Sequence, residues 1–202
     1  MRLMMMMGLL VAACGCYMNT PGTGNLGADA EPPSVDETTN WTTEGEGYTL
    51  SAVTERRVPP LMFVHSTHTT TLEQIGEVAD ATIPKLLDAI KAVDKKPDGP
   101  VMFVYHGITE DPEEAFKLEI GYPMDRQANA IGDFPVRVLE PMKALTVRIK
   151  GPIDHISHAW TAVHEAAAAQ KLEPTGESRE IYHVWDGPQG STNITEVQLG
   201  VK

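Results

Sequence analysis

Glu180 is the side chain whose setting most calls for chemistry. It interrupts the strand-like run Arg179-Glu180-Ile181-Tyr182-His183-Val184-Trp185, where apolar and aromatic residues crowd both faces. A carboxylate in such a run is costly unless it is paired or reaches solvent. Two kinds of work would account for it. As a fixed charge it would attract an organic cation, helped by cation–π contact with Tyr182, Tyr105 or Trp185. With its pKa raised by burial it would suit general acid–base transfer. The structural alternative is a carboxylate bonded to Arg179, Arg148 or backbone amides at the start of the strand. The residues alone leave these open.

The other chemistry-bearing residues form weaker patterns. His65 and His68 sit three apart on a strand and so point to opposite faces, a poor chelate. His155 and His158 share a helical side beside Asp154 and could hold zinc with a third ligand. They lie off the apolar stripe, however, as solvated surface histidines do. No HExxH signature, phosphate-cradling glycine loop or Ser or Cys nucleophile motif occurs. Neither a metal nor a cofactor is expected. Sixteen basic against 28 acidic residues, net −12, argue against a nucleic-acid surface. The two cysteines, Cys14 and Cys16, exclude a disulfide framework for the folded part.

The elements that must position these residues recur in one order. Leu72 to Val93 carries apolar residues at three-four spacing, with Pro84 expected to kink or split the helix. Pro152 to Leu172 carries a second stripe, Ile153, Ile156, Trp160, Val163 and Ala167. Trp160 is expected in the core with partial exposure to a pocket, and Phe103 and Tyr105 lie on the strand Val101–His106. Further strands are expected over Phe116–Met124, Phe134–Ile149 with a break near Pro141, Arg179–Trp185 and Thr195–Val201. Tyr48 to Val58 reads as a leading edge strand.

Two β-α-β-β units result, at about 58–124 and 140–201. Pro59 answers to Pro141, and Lys117-Leu118-Glu119-Ile120-Gly121-Tyr122 answers to Glu196-Val197-Gln198-Leu199-Gly200-Val201. The expected fold is α+β: duplicated units with pseudo-twofold symmetry, forming an antiparallel sheet with two helices packed on it. The alternation in Glu196–Val201 predicts one buried and one wet face. Val101–Tyr105 and Ile181–Trp185 are apolar on both faces, so something besides the helices must cover the second, and a ligand cleft is one candidate. Val101 stands where the other unit has Glu180, an asymmetry at the seam where a pocket is expected.

The N-terminus reads as an address. Arg2 precedes a continuous apolar run, Leu3 to Ala13, of signal-peptide length and well short of the roughly 20 residues a spanning helix needs. Val11-Ala12-Ala13-Cys14 resembles the lipobox of bacterial lipoproteins. By that resemblance residues 1–13 are removed and Cys14 carries the lipid, placing the protein in the cell envelope. Residues 14–47 are rich in Gly, Pro, Thr and Asn and read as a disordered, lipid-anchored tether.

From Tyr48 to Lys202 the chain resembles the GyrI-like small-molecule-binding domain, also known as the bacterial transcription activator effector-binding domain. The resemblance rests on the repeated β-α-β-β order, Gly151-Pro152-Ile153 with Trp160, Arg179-Glu180-Ile181-Tyr182, and the Glu-Val-Gln-Leu-Gly-Val ending. It implies an aromatic groove at the seam and an acid facing lipophilic, often cationic ligands. Glu180 falls on that acid, with Tyr182, Trp160, Tyr105 and Phe103 as ligand-binding neighbours. No DNA-binding segment precedes the domain, so the regulator's effector domain is expected to work here without DNA. A binding module is the leading expectation. A hydrolase acting on strained electrophiles, with Glu180 as acid–base group, is the alternative, and an envelope domain whose cleft is filled by its own side chains is the third.

Overall fold

Alternating or doubly apolar runs become strands here, and the two three-four stripes become helices. The structure, a computed structural model, describes residues 35–109, 111, 113–125 and 130–202. The leader, Cys14 and the tether up to residue 34 lie outside the described residues. A short helix α1 (Val35–Thr38) leads into β1 (Trp41–Gly45), β2 (Tyr48–Ser51), β3 (Thr54–Val58) and β4 (Leu61–Thr70). Then come α2 (Ile75–Ala92), β5 (Met102–His106), β6 (Phe116–Met124), β7 (Ala130–Ile131) and β8 (Phe134–Leu139). The chain ends with β9 (Met142–Lys150), α3 (Ile156–Gln170), β10 (Pro174–Val184) and β11 (Ile194–Val201).

The strands run antiparallel in the order β1-β2-β9-β11-β10-β5-β6-β4-β8-β7, with β3 also on β9. The α+β class and the antiparallel sheet are as expected. Outward from the central β10–β5 pair, each side continues with the following strand of its half and then with the strand before its helix. On one face lie α2, burying Ala79, Ile83, Leu86 and Ile90, and α3, burying Ile156, Ala159, Trp160, Val163 and Ala167. Pro84 does not split α2, which runs unbroken from Ile75 to Ala92. A proline removes one hydrogen bond per helix, and buried Ile83 and Leu86 hold the chain on both sides of it.

The flanking strands depart from the sequence reading. β3 precedes β4 yet pairs with β9, while β8 precedes β9 yet pairs with β4. Each half lends its leading strand to the other. Tyr48–Val58 is therefore two short strands on β9 rather than one leading edge strand. The described fold also begins at Val35, not at Tyr48. β1 pairs with β2, Trp41 Nε1 donates to Asp36 Oδ1 at 2.9 Å, and Arg148 Nη1 donates to Thr39 Oγ1 at 2.9 Å. Polar anchors of this kind leave no apolar periodicity to read.

The exchange forces the sheet to curl. Val58 and Leu61 are three residues apart, a reach of at most about 11 Å. In a flat sheet the six spacings from β3, across β9, to β4 would span about 29 Å. The face away from the helices therefore folds over, and Phe63, Met102, Val104 and Leu139 form a second apolar cluster there. Arg179, 0% exposed, pairs with Glu177 at 2.6 Å and donates to the Glu140 carbonyl at 3.2 Å. On the same side Glu119 pairs with Lys117 and Arg137, and Glu196 with Arg148 and His183. The wet face expected along β11 is thus a correction: all eight of its residues are buried. Gly121 and Gly200 face this crowded side, where a Cβ would come within 2.1 Å of the Val64 carbonyl oxygen and 2.7 Å of the Glu177 carbonyl oxygen.

Candidate functional site

The two-residue period of β10 turns Arg179 and His183 to the folded-over side and Ser178, Glu180 and Tyr182 toward the helices. Glu180 pairs in register with Phe103 on β5 and Val197 on β11, at the middle of the sheet. Its side chain is surrounded by aromatic donors. Trp160 Nε1, on the buried stripe of α3, donates to Oε1 at 2.7 Å. The hydroxyls of Tyr105 and Tyr182 donate to Oε2 at 2.7 and 2.6 Å. The rings also pack on one another: Tyr105 meets Trp160 edge-on at 5.9 Å, and Tyr182 lies 4.9 Å from Phe103. All five residues that the sequence assigned to a ligand site therefore meet around one carboxylate.

The electrostatics of this cluster are unusual. Glu180 is 3% exposed, and among the described residues no cation pairs with it. The two arginines of the structural alternative are engaged elsewhere, Arg179 with Glu177 and Arg148 with Glu196. Burial, and then the charge of Glu180, push the Tyr105 and Tyr182 hydroxyls well above the ordinary tyrosine range, so both stay protonated donors. The carboxylate thus accepts three hydrogen bonds, at least one on each oxygen, and has no counter-charge among the described residues.

Glu180 does not open directly into a cleft. Between α2 and the turn before α3 lies a recess of about 50 Å³, lined by Ile75, Gly76, Ala79, Asp80, Ile83, Val101, Phe103, Ile153, Tyr182 and Trp185. Phe103 and Tyr182 form part of its wall, and Glu180 lies behind them. The larger cavity, about 170 Å³, involves Thr39, Arg56, Thr146, Arg148 and Glu196. It contains none of the predicted site residues and no aromatic ring, so its size does not make it the aromatic site.

A sequence profile of the GyrI-like small molecule binding domain matches residues 51–202. The chain belongs to this family. No curated protein matches it. Among solved structures, this GyrI-like domain is similar to SAV2435 bound to tetraphenylphosphonium, with 15% identity and a TM-score of 0.58 over 74% of this chain and 93% of that one. It is also similar to the EcmrR C-terminal domain, at 20% identity and a TM-score of 0.54, over 74% of this chain and 96% of that one. A hydrolase from Listeria innocua shares 12% identity and a TM-score of 0.51, over 75% of this chain and 92% of that one. Likeness at these identities concerns the fold.

The histidines of the GyrI-like domain do not gather into a site. His65 stacks on Phe63 on the folded-over side, while His68 Nε2 lies 3.1 Å from Thr82 Oγ1 of α2. His155 and His158 pack against Tyr48, the latter stacked at 4.2 Å. Among the described residues no cluster of His, Cys, Asp and Glu could hold a metal ion. The sequence reading missed Asp80 and the small residues Gly76 and Ala79, which line the recess from α2. Their signal was faint: two small residues and an acid on the buried side of an amphipathic helix.

Proposed function

We propose that this GyrI-like domain binds a lipophilic organic cation, with Glu180 as its counter-charge. The observation that carries the reading is a buried carboxylate held by three neutral donors and by no cation. Neutral donors solvate its oxygens but leave its charge uncompensated, and in a low-dielectric site that charge attracts a cation strongly. The rings of Phe103, Tyr182 and Trp185 supply π-faces toward the same space. SAV2435, of like fold, binds tetraphenylphosphonium, a lipophilic cation of this class. A recess of about 50 Å³ is far smaller than such a ligand, so binding requires α2 to shift or the Tyr182 and Trp185 rings to turn.

The decisive experiment is calorimetric titration of the full chain with tetraphenylphosphonium. Glu180→Gln removes the charge and keeps the shape, and the affinity should fall at least about ten-fold. Equal affinity in the two proteins would sink the reading. The hydrolase reading has less support, since each oxygen of Glu180 already accepts at least one protein hydrogen bond.

On the sequence evidence of Val11-Ala12-Ala13-Cys14 after an apolar run, the domain works at the cell envelope on a lipid attached to Cys14, without binding DNA. Cys14→Ser should move the protein from the membrane fraction to the soluble one and abolish palmitate labelling. Retention of the label in the variant would exclude that anchor.

A further inference from the structure

Two residues that line the recess between α2 and the seam each carry a buried polar atom left without a partner among the described residues. Both residues are partly exposed, but Asp80 Oδ1 and Trp185 Nε1 are buried, and among the described residues neither atom has a hydrogen-bond partner. Both residues line the recess, and among the other lining side chains only Tyr182 is polar, its hydroxyl already given to Glu180. A buried acceptor and a buried donor left unmade are costly, and a native fold keeps such a pair rarely without a use.

We propose that Asp80 and Trp185 select a protonated amine bearing an N–H and, near it, a hydrogen-bond acceptor. This rests on the cation-binding reading above and specifies the ligand class. The division of labour follows from the atoms. Glu180 already accepts three hydrogen bonds, so it contributes charge and makes no demand for a donor. Asp80 Oδ1 is an empty acceptor and calls for an N–H, best on a charged nitrogen. Trp185 Nε1 is a donor only and calls for an ether, carbonyl or hydroxyl oxygen. A quaternary ammonium or a phosphonium answers Glu180 and leaves both other atoms unpaired. A site that hydrogen-bonds its ligand discriminates strongly against an analogue lacking the group, since its own buried atoms then stay unpaired.

The test uses three probes on the full chain: diphenhydramine, a protonated aminoether; its N-methyl quaternary salt; and tetraphenylphosphonium. Wild type should bind diphenhydramine about ten-fold or more tightly than its quaternary salt. Asp80→Ala should bring that ratio close to one and weaken diphenhydramine more than tetraphenylphosphonium, whose remaining binding shows that the variant is folded. Trp185→Phe keeps a π-face and loses only the N–H, so it should weaken diphenhydramine more than tetraphenylphosphonium. Equal binding of the two matched salts by wild type, or a preference that survives Asp80→Ala, overturns the inference while the cation site stands. Failure of all three probes to bind wild type overturns both.

Discussion

A carboxylate ringed by two phenols and an indole accepts a hydrogen bond on each oxygen while its charge stands alone, and this governs what a substitution at Glu180 reports. In Glu180→Gln the amide oxygen can still accept, and the tyrosine hydroxyls can rotate to meet the new N–H₂ group. The variant should therefore keep its thermal midpoint within a few degrees, so that a lost affinity reads as lost charge. Glu180→Leu is the contrasting control. It strands Tyr105, Tyr182 and Trp160 as buried donors and should destabilise the fold by about 1–3 kcal/mol for each donor left unpaired. Equal midpoints for the Leu and Gln variants would mean that these three bonds contribute little. At this scale the sequence spoke clearly: a strand alternates strictly, so Glu180 and Tyr182 had to share a face. Tyr105 was named as a π-face and is in fact a hydroxyl donor to Glu180. Asp80 was not legible, because a helical acid beside an apolar stripe reads as a solvated flank.

Among the elements, the central strands and both helices could be read from periodicity, while the partners of the leading strands could not. Pairing between β3 and β9, or β8 and β4, joins segments some eighty residues apart whose alternation is compatible with several neighbours. The same limit explains β11, where Glu196 and Gln198 resembled a wet face. They are buried because the sheet folds over them, and Arg148 and His183 satisfy the carboxylate there. Gly121 and Gly200 mark this fold. Gly121→Ala would push a Cβ against the Val64 carbonyl, a rigid backbone atom, and should destabilise by about 3 kcal/mol or more. A urea midpoint unchanged by Gly121→Ala would show that β4 and β6 can move apart freely.

Over the whole molecule, buried ionisable groups set the response to pH. Burial opposes ionisation of Glu196, but hydrogen bonds from His183 and Gln198, the charge of His183 and the bond from Arg148 prevail and hold its pKa at about 2. Burial likewise opposes ionisation of Glu119, yet His106, Lys117 and Arg137 hold its carboxyl well below the usual range. Burial lowers His65 and His68 from 6.5. In each case the unfolded chain binds protons more readily than the folded one, so stability rises with pH. The histidine contribution is complete above 6.5 and declines as pH falls below it; the carboxylate contribution is complete above about 4.5 and declines toward 2. Urea midpoints measured from pH 8 to pH 3 should fall in these two stages, and a midpoint that rises on acidification would contradict the assignment. The lent leading strands carry a different consequence. Since β3 completes the far edge of β9 and β8 that of β4, neither half owns all the strands of its own edge. A chain severed between Asp125 and Ala130 would yield two fragments that each lack an outer strand held by the other. The domain is thus a mutual clasp, in which the halves close only upon one another.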